Sequence, residues 1–465
     1  NGYLRLVRRA TPEIWQQVRE LQINGITAER KSQRVYPNAT TAGNILGFVN
    51  TDGVGLAGLE LTLQSHLQGT PGEQTVEIGN GSGQVIPTGE QSTTDAVPGQ
   101  TVHLTILRDL QWTAQQVIDD AVDRYGAAWG AVLVEEVGTG RILALADSDA
   151  VDPNDPTASP DDARGSRAVQ NVYEPGSTGK IATVASAIEE GLVTPTTVFE
   201  IPYRYTTENG QVITDHTPHE TELMTAAGLL AESSNTGTVQ IGQLMSDQTR
   251  YDYFRRFGLG SPTNLGLPGE TAGIVHPPEE WDGRMRYTTM FGQGLAVNLV
   301  QNTGVLATLA NAGVHVAPRL VDGFTDADGT FHPVEAPQLT QVVSGETSSQ
   351  MIRMLESVVD DGTGKRAAIS GYRVAGKTGT AQTADGAGGL SATTASFVGV
   401  VPAEAPRIAV GVVIYKPTSG FFGGTIAAPV FHDVASFALE TLGVAPSSTA
   451  PELYPLTPAA APTAE

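Results

Sequence analysis

The sequence predicts an α+β fold whose sheet takes strands from both ends of one domain, preceded by a smaller, loop-rich α+β module. Three observations carry this. AAWGAVLVEEVGTGRILALA (127–146) reads as strand, turn, strand. A second pair, ASFVGVV (395–401) and IAVGVVIY (408–415), lies more than 200 residues later. Helical stretches fill the interval, so the strands must meet from far apart in the chain.

The elements follow in order. Residues 1 to about 110 mix short apolar runs with the turn signals YPNAT, NTDGVG, GTPGE and GNGSG. Within them EIWQQVREL (13–21) places Ile14, Val18 and Leu21 at helical spacing, and TVHLTIL (101–107) alternates as a half-buried strand does. WTAQQVIDDAVDRY (112–125) forms an amphipathic helix with Val117, Ile118, Ala121 and Val122 on one face. Gly138 and Gly140 make the turn of the first strand pair. From Ala445 onward the chain is rich in Pro, Ala and Thr, which fits an extended tail or a wrapping strap. The expected organisation is a module over 1–110, a main domain over 111–445 and a tail over 446–465.

Composition narrows the function. Acidic residues outnumber basic ones by 50 to 27 in 465 residues, a net charge of -23, so nucleic acid is not an expected partner. With no cysteine, thiolate nucleophiles, disulfides and thiolate metal sites are excluded. His216 and His219 form the only close histidine pair and lack a third ligand at metal spacing, so no metal and no cofactor is expected. No stretch approaches 18 apolar residues, so no spanning helix is expected. The chain begins at Asn1 without methionine, which reads as a processed or cut amino end.

Three short motifs carry the chemistry. In YEPGSTGK (173–180), Ser177 and Lys180 are three apart at the start of the apolar helical run IATVASAIEEGL, so they share a face. The helix amino end favours negative charge at Ser177. The bland alternative is a serine cap and a surface lysine. In AESSNTG (231–237), Ser233 and Asn235 are two apart after a helical run; alone this is an ordinary loop. In VAGKTGTAQ (374–382), Lys377, Thr378, Gly379 and Thr380 lead into a Gly/Ala-rich loop (384–389), and the small glycines imply close backbone approach. Gly371 to Thr378 also matches a phosphate-binding loop formally. That motif must open a helix, which GTAQTADGAGG does not, so nucleotide binding is rejected. Ser-x-x-Lys, Ser-x-Asn and Lys-Thr-Gly in this order occur together in one site of β-lactamases and penicillin-binding proteins.

On these motifs the chain resembles a class B penicillin-binding protein, a peptidoglycan D,D-transpeptidase. RAVQNVYEPGSTGK (167–180), DGTGKRAAISGYRVAGKTGTAQ (361–382), ASFVGVVPAEAPRIAVGVVI (395–414) and GGTIAAPVFHDV (423–434) resemble its catalytic domain. FGQGLAVNLVQ (291–301) and LATLANAGV (306–314) resemble the helical region before the third motif. RVYPNATTAGNILGFV (34–49) and GLAGLELTLQSHLQGTPG (55–72) look like its amino-terminal pedestal, a dimerisation-type module. Within the class, the division-specific septal enzymes of actinobacterial type look most similar, with elongation-type enzymes as the near alternative.

The resemblance implies a penicillin-binding/β-lactamase-like domain: an antiparallel sheet with helices on both faces plus an all-helical subregion. It implies that Ser177 is the nucleophile and that Lys180, lowered by burial and by nearby Lys377, takes its proton. Ser233 would relay that proton, and Asn235 would hydrogen-bond the substrate amide and the Lys180 amine. Lys377 would supply positive potential, and Thr378, Gly379 and Thr380 would bind the substrate carboxylate. The implied ligands are peptidoglycan stem peptides and β-lactams. The implied partners are a membrane-embedded glycan polymerase and division proteins, at the extracytoplasmic face of the bacterial membrane, with a membrane anchor preceding this chain. A D,D-carboxypeptidase, a β-lactamase and a catalytically silent penicillin-binding scaffold or sensor remain the rival readings.

Overall fold

The structure, a computed structural model, describes residues 4–7, 10–29, 31, 33–79, 86, 88–383 and 392–458. The Gly/Ala-rich loop at 384–389, most of the GNGSG turn and residues 459–465 of the tail lie outside the described residues.

Five strands build the central sheet: β1 (Trp129–Glu136), β2 (Arg141–Asp147), β3 (Ala375–Thr383), β4 (Ala392–Val401) and β5 (Ile408–Tyr415). All neighbours are antiparallel, in the order β3-β4-β5-β1-β2. The late pair β4–β5 thus joins the early pair β1–β2 through β5 and β1, where Val410 faces Val134 and Val412 faces Val132. The expected long-range sheet is present, and the third motif lies in β3 at its edge.

Side chains alternate between the two faces of a strand. Val132, Val134, Val410 and Val412 point to one face, where α1 (Arg108–Tyr125) and α7 (Gly423–Thr441) cover them. Ala131, Leu133, Ala409 and Val413 point to the other, under the helices α2 (Lys180–Glu189), α3 (Ala226–Ala231), α4 (Asn235–Gly242), α5 (Leu299–Ala310) and α6 (Gly345–Asp360). Both faces are buried, so the strands read as continuous apolar runs rather than as an alternation. Helix α1 starts four residues before the expected Trp112. Its buried face is Leu110, Ala114, Ile118, Ala121 and Val122, with Gln111 and Gln115 buried beside them. Those glutamines bond Leu145 and Thr40, which joins the helix to the sheet and to the first module.

The helix expected over 13–21 forms at Pro12–Glu20, but none of its residues is buried. Of TVHLTIL, Thr101–Leu104 is a strand, and it pairs antiparallel with Val321–Thr325 of the main domain. This ladder and the Asn154–Tyr36 hydrogen bonds tie the first module to the main domain. Among the described residues, no helix is long and apolar enough to cross a membrane.

Candidate active site

The three motifs meet at one cleft of about 1350 Å³, lined by Ser177, Ser233, Asn235, Thr378 and Thr380. Ser177 lies in a 3₁₀ turn, Gly176–Gly179, that runs directly into α2. Close approach fixes where this turn sits. Gly176 has φ +55°, and a Cβ there would stand 2.6 Å from the Thr380 carbonyl oxygen. A Cβ on Gly379 would stand 2.2 Å from Ser396 Oγ and 2.7 Å from the Pro175 carbonyl oxygen. Glycine at both positions is what lets the serine turn lie against β3. Thr178 pins the turn from behind by donating to the Pro175 carbonyl, and its hydroxyl also meets Asn302 Oδ1 of α5 at 2.9 Å. Asn302 in turn donates to Tyr173 Oη at 3.0 Å.

Lys180 and Lys377 are both fully buried, and both reach Ser233. The Lys180 amine donates to the Ser233 carbonyl and lies 3.3 Å from its hydroxyl. The Lys377 amine lies 2.9 Å from the same hydroxyl. Ser233 takes φ +63°, a left-handed conformation that costs a side-chain-bearing residue about 1–3 kcal/mol. That turn, between α3 and α4, lets its carbonyl and hydroxyl serve both lysines. Burial pushes the Lys180 amine down to about 7, against an upward pull from Asp215. Burial, followed by the neighbouring Lys180 charge, holds Lys377 well below the ordinary lysine range. Removing a cation from water disfavours its charged form, so a neutral amine is available here near neutral pH.

Desolvation leads in lowering Lys180, as expected, and the two buried amines repel each other when charged. One sequence expectation is corrected in detail. The Asn235 side chain does not bond the Lys180 amine; it donates to the Thr214 carbonyl at 3.0 Å, while the Ser233 carbonyl takes the Lys180 bond. The reason is Asp215, which sequence reasoning missed. Its Oδ1 accepts the backbone N–H groups of Asn235 and Thr236, and its Oδ2 accepts from the Ser234 hydroxyl at 2.8 Å. This carboxylate draws the first turn of α4 toward the Thr214–Asp215 side of the cleft. Nothing marks Asp215 in the sequence, where it stands 20 residues before its partner Asn235 with no intervening pattern.

His219 bonds Asp215 at 3.1 Å, and His216 sets its ring at 89° against Phe422. Along β3, Thr378 Oγ1 meets Thr363 Oγ1 at 3.0 Å, and Thr380 Oγ1 accepts from Gly423 N at 3.1 Å. With its acceptor role filled, the Thr380 hydroxyl is free to turn its proton toward an anion. Thr363, Arg366 and Phe422 line the same cleft. Lys377 and Thr378 stand inside a strand that continues to Thr383, not at a loop opening a helix, in keeping with the rejection of nucleotide binding.

The family description "Penicillin binding protein transpeptidase domain" matches residues 130–436, the span holding all three motifs. The chain belongs to this family. The description "Penicillin-binding Protein dimerisation domain" matches residues 5–104, the first module. Among curated relatives, the penicillin-binding protein PbpB of Mycolicibacterium smegmatis is 38% identical over 428 residues, covering 89% of this chain and 66% of that protein. The peptidoglycan D,D-transpeptidase FtsI of Escherichia coli is 33% identical over 456 residues, covering 96% and 74%. The chain therefore spans just under two thirds of the mycobacterial relative's length. Among solved structures, penicillin-binding protein 3 of Mycobacterium tuberculosis complexed with ampicillin superposes with a TM-score of 0.83 at 33% identity, covering 93% of this chain and 94% of that one. The septal class B resemblance read from the sequence agrees with these relatives.

Proposed function

We propose that this family member is a serine D,D-transpeptidase that cross-links peptidoglycan stem peptides through an acyl-enzyme on Ser177. The observation that carries the reading is the convergence of two buried lysines, from different chain segments, on the Ser233 hydroxyl in the cleft that Ser177 lines.

The chemistry follows from the geometry. Ser177 is a weak nucleophile until its proton is removed. Lys180, on the same turn and neutral in part near pH 7, accepts that proton as Ser177 Oγ bonds to the carbonyl carbon of the penultimate D-alanine. The proton passes through Ser233 to the leaving D-alanine amine as the peptide bond breaks. An amine from a second stem then attacks the acyl-enzyme, and the same relay returns its proton to Ser177. Lys377, Thr378 and Thr380 meet the substrate's terminal carboxylate, and Gly379 keeps the backbone close to it. A β-lactam, which resembles the D-Ala-D-Ala end, acylates the same serine.

The names of the relatives support a septal role; we infer in addition a place at the extracytoplasmic face of the membrane, beside a glycan polymerase and other division proteins. The decisive assay supplies a stem-peptide donor and an amine acceptor and measures cross-linked product against free D-alanine. Cross-linked product that disappears on penicillin treatment is expected. D-alanine release without any cross-link would make the protein a carboxypeptidase instead. In cells, a full-length fluorescent fusion is expected at midcell, and a signal spread along the lateral wall would replace the septal reading with the elongation one.

A further inference from the structure

The segment after α7 does not leave the domain. It crosses it, and its contacts are made at named points. The Val444 carbonyl accepts from Tyr372 Oη at 2.7 Å. Ser447 then ties the approach to β3: its N–H donates to the Gly371 carbonyl at 2.9 Å, and its Oγ accepts from Arg373 N at 2.9 Å. Arg373 Nη1 reaches Thr449 Oγ1 at 3.1 Å. Passing over α6, the Glu452 carbonyl accepts from Arg353 Nε at 2.8 Å, and the Arg353 guanidinium stacks 4.3 Å from the Tyr454 ring centre.

The segment then docks at the start of α3. Thr225 donates its hydroxyl to the Pro455 carbonyl at 2.7 Å and its N–H to the Leu456 carbonyl at 3.0 Å. The same hydroxyl accepts from Gly228 N at 3.0 Å, so it caps the helix and holds the strap at once. Gly228 is the seat of this contact. A Cβ there would stand 2.0 Å from the Leu456 carbonyl oxygen, so no other residue fits while the strap is in place. Leu456 and Tyr454 pack on the core, and Leu456 with Thr457 lines the cleft that Ser177 and Ser233 line.

We propose that Val444–Pro458 is a belt that holds the Ser233 turn in register with Lys377 and closes one wall of the substrate cleft. It clamps two elements at once: the chain entering β3, which carries Lys377, and the first turn of α3, the helix that leads through Glu232 to Ser233. Displacing it frees the Ser233 end of the lysine–serine contact without touching Ser177, Lys180 or Lys377. The belt residues act through Ser233 and are positioning residues. Leu456 and Thr457, beside Met224, also offer an apolar and hydroxyl-bearing surface to the extended peptide arm of a stem, a role that rests on the transpeptidase reading.

The test compares four proteins: the full chain, a chain ending at Val444, Gly228→Ala in the full chain, and Gly228→Ala in the shortened chain. Alanine is the better helix former, so Gly228→Ala is harmless wherever the strap is gone. Each protein is read by the pH dependence of acylation with a fluorescent penicillin and by hydrogen exchange over residues 226–236. Shortening is expected to slow acylation by roughly tenfold or more, as misplacement of a reacting group does. It is also expected to raise the midpoint above about 7, because water reaching Lys180 beside Ser233, Lys377 and Asp215 restores its charged form. Exchange over 226–236 should quicken. Gly228→Ala should do the same in the full chain and add nothing in the shortened one.

Loss of melting temperature alone, with rate, midpoint and exchange unchanged, would overturn the proposal. Should the shortened chain fail to fold, Gly228→Ala in the full chain decides, and full-chain behaviour in that variant would overturn it. If the unaltered protein takes no penicillin label, the transpeptidase reading fails. The exchange data then still report on the belt.

Discussion

If Lys180 is the base that activates Ser177, the rate of acylation must follow the fraction of Lys180 that is uncharged. Lys180 is fully buried and its amine is pushed down to about 7, with the Asp215 charge pulling in the opposite direction. An amine titrating at about 7 goes from roughly one tenth neutral at pH 6 to roughly nine tenths at pH 8, so the rate should rise about tenfold and then level off. An ordinary lysine near 10.4 would give a rise of about a hundredfold over the same interval and no plateau by pH 9. The two profiles are separable with a stopped-flow instrument, a fluorescent penicillin whose own groups do not titrate between pH 5.5 and 9, and excess reagent at each pH. Lys180→Arg supplies the control: a guanidinium stays charged throughout, so the bend should vanish and the rate should fall by about 10²–10⁴. A wild-type profile that climbs with unit slope past pH 9, or one that is flat from pH 6 to 8, would refute the assignment of Lys180 as base.

Other consequences follow from the same geometry. Asp215→Asn removes the charge that holds Lys180 up, so the acylation midpoint should move below its wild-type value. It also spoils a carboxylate that accepts the Asn235, Thr236 and Ser234 donors, for a stability loss of about 1–3 kcal/mol by thermal melting. Gly379→Ala sets a Cβ 2.2 Å from Ser396 Oγ and 2.7 Å from the Pro175 carbonyl, which forces β3 and the serine turn apart; acylation should drop about a hundredfold, measured by gel fluorescence over time. Arg373 grips Glu356 through two 2.9 Å bonds, and Glu356 is only 3% exposed. Arg373→Met strands that carboxylate and should cost about 3–5 kcal/mol in urea unfolding, with Glu356→Leu in the same chain recovering most of the loss.

How much was legible in the sequence depends on how local the determining physics is. Strands β1, β2, β4 and β5 stood out because burial on both faces makes them unbroken runs of Val, Ile, Leu, Ala and Gly. Strand β3 (AGKTGTAQT) carries no such run; only its motif marked it, and its small residues make sense once Gly379 is seen against Pro175 and Ser396. Ser177, Lys180, Ser233, Asn235, Lys377, Thr378 and Thr380 were nameable because their types and order are a chemical pattern, and the fold gathers them at one place. The bonds among them were less so. The Asn235 amide turns to Thr214, because Asp215 holds the first turn of α4 from the side. Such a tertiary contact leaves no trace in spacing. Likewise the composition of the Pro-rich segment after Ala445 fits a tail and a strap equally, and only the tertiary contacts with Thr225 and Gly228 decide for the strap. The pairing of Thr101–Leu104 with Val321–Thr325 joins segments with no short-range signal between them.

The central claim is that Ser177 is the residue that becomes acylated. Mass spectrometry of the intact protein after penicillin treatment, followed by peptide mapping, tests it most directly. One added penicilloyl group per chain is expected, carried on Ser177 and absent from Ser177→Ala. An adduct mapped to Ser233 or to any other residue, or one that persists in Ser177→Ala, would contradict the account.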